Sequence, residues 1–370
     1  MQRLLCFVLL ALAISPTLSV GDRRCGSDTS HLWLDVVFVV DTSKSMNMYQ
    51  VYDTIQAVFN QRVQIGTGYA DPRSTRVGFV TYNYNATDVA DFYKLQSWSD
   101  LSSQIQRLKI TPLSNVVYSY MDLGLNAASN MIASTAGYRD NYKKIIVLFT
   151  SNYGYSRSYP KDVAKTLKSN GVSIVTVNTG AVKSTSSYLQ QIASDNMNFT
   201  MADGNTTQEI IKAMTDTNCY CPQGWTQYSY PMYNYNNRYG ICVQHPGLFG
   251  SRIASQDMCH KLAPNGYLVS ELNQQKRSFN FAFMQSAQPQ PVNAFYNGLT
   301  SVNGTWYWDQ PTGEPLLRLD PNSGSAPPRS GCVADMKYSD GSTSWTPVSC
   351  ANSFQILCET RTCDTDNYCE

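Results

Sequence analysis

Nine of the eleven cysteines fall between Cys219 and Cys369, after only Cys6 and Cys25 in the whole of the preceding chain. Thiols at that density suit oxidation into crosslinks, and they mark a small, covalently stapled fold behind a larger one that has almost none. The other residues able to do chemistry are oxygen donors. Asp41, Thr42, Ser43, Lys44 and Ser45 place a carboxylate and two hydroxyls at alternate positions directly after an apolar run. One reading of such short polar side chains is that they satisfy backbone groups around the next helix start. Catalysis has little to work with: the histidines are His31, His245 and His260, and there is no H-E-x-x-H, no G-x-S-x-G and no phosphate-binding glycine loop. His260, beside Cys259, reads as a helix residue rather than a ligand. With the cysteines expected in bridges, none stands as a free nucleophile, and the expectation is a protein that is not an enzyme.

These residues sit in a chain of 370, 42% hydrophobic and 15% charged, long enough for two domains with separate cores. Arg3, the apolar residues 4–14 and the small residues 15–19 read as an export signal cleaved near Ser19. Its removal takes Cys6 and leaves an even ten cysteines, as an oxidising compartment favours. No later segment of about 20 apolar residues follows, so the expectation is a secreted, extracellular protein with no membrane span. A net charge of +1 without blocks of like charge gives no general attraction to nucleic acid or acidic lipid. Asn85, Asn198, Asn205 and Asn303 each begin an N-x-S/T tripeptide and are candidate glycosylation sites, although such tripeptides also arise by chance in an Asn-rich chain.

Four apolar, β-branched runs position the oxygen donors. Residues 34–40, 76–82, 144–149 and 172–177 read as strands, and the continuous hydrophobicity of the first places it at the centre of a sheet, buried on both faces. Helical spacing occupies residues 51–63, 100–108, 119–132, 160–169, 187–194 and 207–215. Strands alternating with helices predict an α/β, doubly wound, mostly parallel sheet, in which ligands bind at the carboxyl ends of the strands. Residues 25–218 are assigned to this domain.

The D-x-S-x-S pattern of Asp41, Ser43 and Ser45 after a buried strand resembles the von Willebrand factor A domain, a Rossmann-like fold common in extracellular adhesion proteins. That resemblance implies part of a metal-ion-dependent adhesion site, usually holding Mg2+, a hard cation that takes six oxygen ligands. It also assigns Ser119 to the position of the family's second-loop threonine and Ser151 to that of its third-loop aspartate. A hydroxyl is kept at the first and a carboxylate is lost at the second. A site left with Asp41 as its one charged ligand is expected to hold a divalent ion weakly.

Residues 219–362 differ in kind. Cys221, Pro222, Gln223, Gly224, Trp225, Tyr228 and Cys242 resemble the opening of a long-form C-type lectin-like domain, a disulfide-rich α+β fold. The likeness continues through Cys259, the Asn297, Gly298, Leu299 segment, Trp306, Trp308, Cys332, Trp345, Cys350 and Cys358. It implies the pairs Cys259–Cys358, Cys332–Cys350 and Cys221–Cys242. Of the remaining cysteines, Cys25 and Cys219 flank the first domain and are expected to pair, leaving Cys363–Cys369 for the tail, residues 363–370; connectivity does not follow from sequence alone. In the calcium-dependent sugar binders of this family two short segments hold Ca2+ and sugar hydroxyls. Their counterparts here are Asp320, Pro321, Asn322 and Trp345, Thr346, Pro347. Proline offers no side-chain oxygen, so Ca2+ is not expected in the usual geometry, and Asp320 to Asn322 also read as an ordinary turn. Tyr228, Tyr230, Tyr233, Tyr235 and Tyr239 alternate with polar residues, either as a contact surface or as a half-buried terminal hairpin.

Two functions follow from these resemblances. The pairing of folds is similar to secreted nematode C-type lectins associated with innate defence, implying carbohydrate or pathogen recognition with the A domain contacting protein. The alternative is an extracellular adhesion or matrix protein that binds proteins independently of metal and glycan.

Overall fold

A computed structural model of the chain describes residues 21–59, 61–151, 159–180, 183–232, 235–286, 292–320 and 331–370. The export-signal expectation, Tyr233, Pro321 and Asn322 lie outside the described residues. The first unit runs β1 (Leu34–Asp41), α1 (Met48–Val58), β2 (Arg76–Tyr82), β3 (Ala86–Ala90), α2 (Trp98–Lys109), α3 (Met121–Ala133), β4 (Lys143–Thr150), α4 (Pro160–Ser169), β5 (Val172–Asn178), α5 (Lys183–Ile192), β6 (Asn198–Thr200) and α6 (Thr206–Asn218). Its sheet has the order β3-β2-β1-β4-β5-β6, parallel except for β3.

Every residue of β1 is buried, and strand alternation explains how. Leu34, Val36, Phe38 and Val40 pack with Val51, Ile55, Ile105 and Met214, whereas Val37 and Val39 belong to a second core with Leu125, Ala128 and Leu167. Helices thus cover both faces of the central strand, and its carboxyl end, carrying Asp41, emerges between them. Two strands escaped the hydrophobic reading. β3 is a largely exposed edge strand and β6 is three residues long, so neither shows an apolar run. α1 also begins and ends earlier than residues 51–63. Asn47 caps it through a bond from Gln50 N (3.2 Å), and Phe59 leaves the helix to meet Phe38 edge-on.

The second unit contains β7 (Thr226–Met232), β8 (Tyr235–Gln244), β9 (Phe249–Gly250), α7 (Arg252–Leu262), β10 (Tyr267–Leu268), α8 (Gln274–Gln285), β11 (Ala294–Val302), β12 (Thr305–Trp308), β13 (Leu317–Arg318), β14 (Cys332–Lys337), β15 (Thr343–Val348), β16 (Phe354–Ile356) and β17 (Cys358–Arg361). One sheet orders β10-β17-β8-β7, the other β13-β12-β11-β14-β15 with β16 and β9 attached. The structure pairs Cys221 with Cys242, Cys259 with Cys358 and Cys332 with Cys350. The 259–358 bridge spans 99 residues, a closure worth roughly 4–5 kcal/mol in the chain-entropy model. In the terminal hairpin Tyr228 is buried and stacks on Tyr239 at 4.4 Å.

The junction is held from three directions. Cys25 pairs with Cys219, and Cys363 with Cys369. Tyr220 exchanges two backbone bonds with Cys363. Trp33, just ahead of β1, is fully buried among Tyr142, Tyr220 and Tyr368 and donates its indole N–H to the Asp364 carbonyl (3.0 Å). Arg23 completes the contact with a forked pair to Asp364 (2.7 and 3.0 Å). Residues 363–370 therefore pack into the joint between the two units.

A buried ion pair lies at the amino end of the same sheet. Arg76 grips Asp35 through Nε (2.7 Å) and Nη2 (2.5 Å), both side chains being inaccessible to solvent. Asp35→Ala leaves the guanidinium buried without its counter-charge. A loss of about 3–5 kcal/mol is expected in denaturant unfolding of the first unit, and a loss below about 1 kcal/mol, the size of an exposed pair, would show that the pair is solvated.

Candidate functional site

The carboxyl ends of β1 and β4 and the approach to α3 bring Asp41, Ser43, Ser45, Ser119 and Ser151 into one cluster. Asp41 Oδ1 accepts from Ser43 N (2.8 Å), an Asx turn that folds the loop back on itself. Ser43 Oγ lies 3.3 Å from Ser45 Oγ, which lies 2.7 Å from Ser151 Oγ across the two strand ends. The loops are tied to one another by Thr42 N to Tyr82 O, Lys44 N to Val116 O and Tyr120 N to Asn83 O. Since Asn47 caps α1, the serines are not engaged as that helix's cap.

Asp41 is wholly buried, and its Oδ2 has no partner in hydrogen-bonding geometry among the described residues. Burial pushes the carboxyl above its ordinary value; Ser43, the Ser119 hydroxyl and the Ser151 amide, which face it, draw it part of the way back. An orphaned, desolvated carboxylate oxygen ringed by hydroxyls is a donor set that fits a hard divalent ion. Its charge is low, because Ser151 supplies no second carboxylate. Among the described residues there is no group of three or more His, Cys, Asp or Glu that could hold a metal.

Two residues of this site carry no sequence motif. Tyr82, at the end of β2, is buried, and burial and then the Asp41 charge hold its phenol well above the usual range. Gly124 lets α3 approach, since a Cβ there would stand 2.8 Å from both Tyr82 Cδ1 and Val39 Cγ1. A glycine one turn into an otherwise ordinary helix was the available signal.

The second set is not assembled in the same way. Asp320 is exposed beyond β13, and Asn322 lies outside the described residues. Trp345 on β15 is a packing residue: its indole donates to Glu271 Oε2 (2.7 Å) and its ring meets Trp308 edge-on at 5.4 Å. Thr346 Oγ1 is taken up by Tyr338 OH (2.8 Å) and Ser344 Oγ (3.0 Å). Pro347 pairs opposite Val333. Engaged in this way, Trp345, Thr346 and Pro347 leave no unshared side-chain oxygen for a calcium ion. Of the sequons, Asn85, Asn205 and Asn303 are exposed, whereas Asn198 is half-buried with its Oδ1 accepting from Thr176 (2.8 Å).

Family models match the sequence in two places, the von Willebrand factor type A domain over residues 35–213 and the lectin C-type domain over residues 252–360. The chain joins a von Willebrand factor type A domain to a C-type lectin domain. C-type lectin domain-containing protein 160 of Caenorhabditis elegans is 28% identical over 388 residues, which cover 96% of this chain and 57% of that protein. Matrilin-1 of Mus musculus is 26% identical over 197 residues, covering 52% of this chain and 37% of its own length. The chain thus spans little more than half of the first relative and less of the second. Among solved structures, proximal thread matrix protein 1 from the mussel byssus, with a zinc-occupied MIDAS motif, aligns with 52% of this chain and 48% of its own at 22% identity and a TM-score of 0.42. The SpRpn10 VWA domain aligns with 46% of this chain and 87% of its own at 16% identity and a TM-score of 0.34.

The A-domain site makes a signed prediction. With its carboxyl raised above 3.8, Asp41 contributes stability that is fully present below that value and lost as pH rises through the raised one. At neutral pH without metal, Asp41→Asn keeps the Oδ1 acceptor and removes the penalised charge, so its melting temperature is expected to match or exceed that of the parent. Magnesium is expected to raise the parent's melting temperature slightly and the variant's not at all. A metal-free variant melting several degrees lower would mean that hydrogen bonds to the charged carboxylate outweigh its burial.

Proposed function

We propose that the protein is a secreted recognition lectin of innate defence, in which the C-type lectin domain contacts glycans and the A domain contacts protein, with little dependence on metal in either. The observation that carries this reading is where the two domains depart from their families' residues. The cores and the five disulfides are in place, while the second carboxylate of the A-domain site and both ligand positions after Trp345 are replaced by Ser151, Thr346 and Pro347. Both domains are extracellular types, and five disulfides suit an oxidising compartment. No described helix is long and apolar enough to cross a membrane. Exposed Asn85, Asn205 and Asn303 suit glycosylation on that route.

In the A domain, Asp41, Ser43, Ser45 and Ser119 would hold a divalent ion, with Ser151 beside them. When bound, the ion would supply a positive centre for an acidic group of a protein partner. The remaining work falls to the chain itself: the Asx turn and the stitched loops fix the hydroxyls, and Tyr84, Val117 and Tyr118 on the surrounding loops, with Tyr49 in the first turn of α1, are exposed for contact. Aromatic side chains offer large contact area at low entropic cost. Matrilin-1's similarity to about half of this chain favours the second reading, an adhesion or matrix protein that binds proteins only.

A glycan array probed with the full-length chain in calcium and then in chelator separates these readings. Binding that persists in chelator is expected. Binding abolished by chelator would contradict the depleted lectin site, and no glycan binding in either buffer would leave the adhesion reading.

A further inference from the structure

A groove of about 320 Å³ runs between α8 and the turn end of the β14–β15 hairpin, the hairpin that also carries Trp345 and Thr346. It is at the small end of ligand pockets, which span roughly 300–1,000 Å³, and has room for a single sugar ring. Arg277 and Lys337 supply its charge, and no carboxylate lines it. Gln274, Ser278, Gln285 and Thr343 add amides and hydroxyls that both donate and accept, and Phe281 gives an apolar wall.

The two cations differ in how they are held. Arg277 is nearly buried and is fixed by Asp335 Oδ1, with Nε at 3.1 Å and Nη2 at 3.0 Å. Asp335 in turn accepts from Asn297 (3.0 Å), while the neighbouring Glu271 is held by Asn280 (3.0 Å) and Trp345 (2.7 Å). Burial, and then the Glu271 charge, hold the Asp335 carboxyl well above the usual range. Glu271 Oε2 also stands 3.9 Å from Arg277 Nε, so the guanidinium keeps a carboxylate neighbour on its inner side. Lys337 is exposed at the rim, and its ammonium donates one hydrogen bond, to Gln285 Oε1 (2.9 Å), leaving two donors directed to solvent. Asp340 in the hairpin turn is occupied by Ser342, through its amide (2.9 Å) and hydroxyl (2.6 Å).

We infer that this groove binds a carboxylate-bearing sugar residue without metal, its acid group met by Lys337 and Arg277 and its hydroxyls by the surrounding amides and hydroxyls. The inference rests on the reading that the lectin domain contacts glycans, and it puts a cationic site at the turn end of the hairpin whose other residues correspond to calcium ligands. Charge complementarity selects the acid over a neutral sugar, and mixed donors and acceptors select a polyol over a simple anion.

The test uses the full-length chain in chelator at low ionic strength, titrated with methyl glucuronide and methyl glucoside, which differ only in the carboxylate. A charge-assisted contact of this kind predicts a preference of about tenfold for the glucuronide. The preference should shrink as salt is raised and disappear in Lys337→Glu, an exposed substitution whose fold is checked by an unchanged melting temperature. Equal affinity for the two sugars, or a preference that survives Lys337→Glu, overturns the site. If the glycan array still registers binding in that case, the lectin reading stands without this groove. No affinity for any sugar in either experiment removes both.

Discussion

Tyr220 is the residue on which the arrangement of this molecule depends, because it is the whole of the chain between two disulfides that belong to different cores. Cys219 closes the ends of the A domain onto Cys25, and Cys221 opens the lectin domain onto Cys242. A link this short gives neither domain room to move until the contacts around it are lost. Those contacts are extensive: Trp33 sits in an aromatic cage shared by the start of the A domain, Tyr220 and the chain's last residues, and its indole nitrogen is bonded to Asp364. Asn141 adds bonds to Tyr368 and to the Cys369 carbonyl. The two domains are thereby carried on one frame, so a contact made by one would restrict where the other can reach.

The A-domain site follows from the sheet. A central strand buried on both faces must end somewhere polar, and it ends at Asp41, a carboxylate that burial penalises and that only partial hydrogen bonding relieves. In a site with a second carboxylate a cation would be drawn strongly. With Ser151 at that position the hydroxyls close on one another instead, Ser45 to Ser151 at 2.7 Å. The lectin domain shows the same loss by another route. Trp345 is kept for its packing on Trp308 and its bond to Glu271, while the residues that follow it turn to hydrogen bonding within their own hairpin and to strand pairing.

Much of this was legible in the sequence because it rests on local chemistry. Residues 76–82 and 160–169 form a strand and a helix with the bounds their patterns implied, since apolar periodicity and a first-turn proline act locally. The doubly wound class followed from the alternation of such elements. What escaped depends on distant partners. β3 and β6 are strands because a neighbour pairs with them, not because of their own hydrophobicity. The early start of α1 depends on Asn47, a cap that nothing local distinguishes from the serines just before it. The packing role of Trp345 could not be read from its spacing to Cys350, and the Arg277 and Lys337 groove joins a helix to a hairpin some 60 residues away.

The claim at the centre of this account is that both domains keep their folds while their metal positions have become poor in charge. Titration calorimetry of the full-length, metal-stripped chain with magnesium and then calcium tests it directly. The account predicts magnesium binding to one site no tighter than about 1 mM, and no calcium binding attributable to the lectin domain. A stoichiometric calcium site of micromolar affinity, lost on substitution of Asp320, would contradict it.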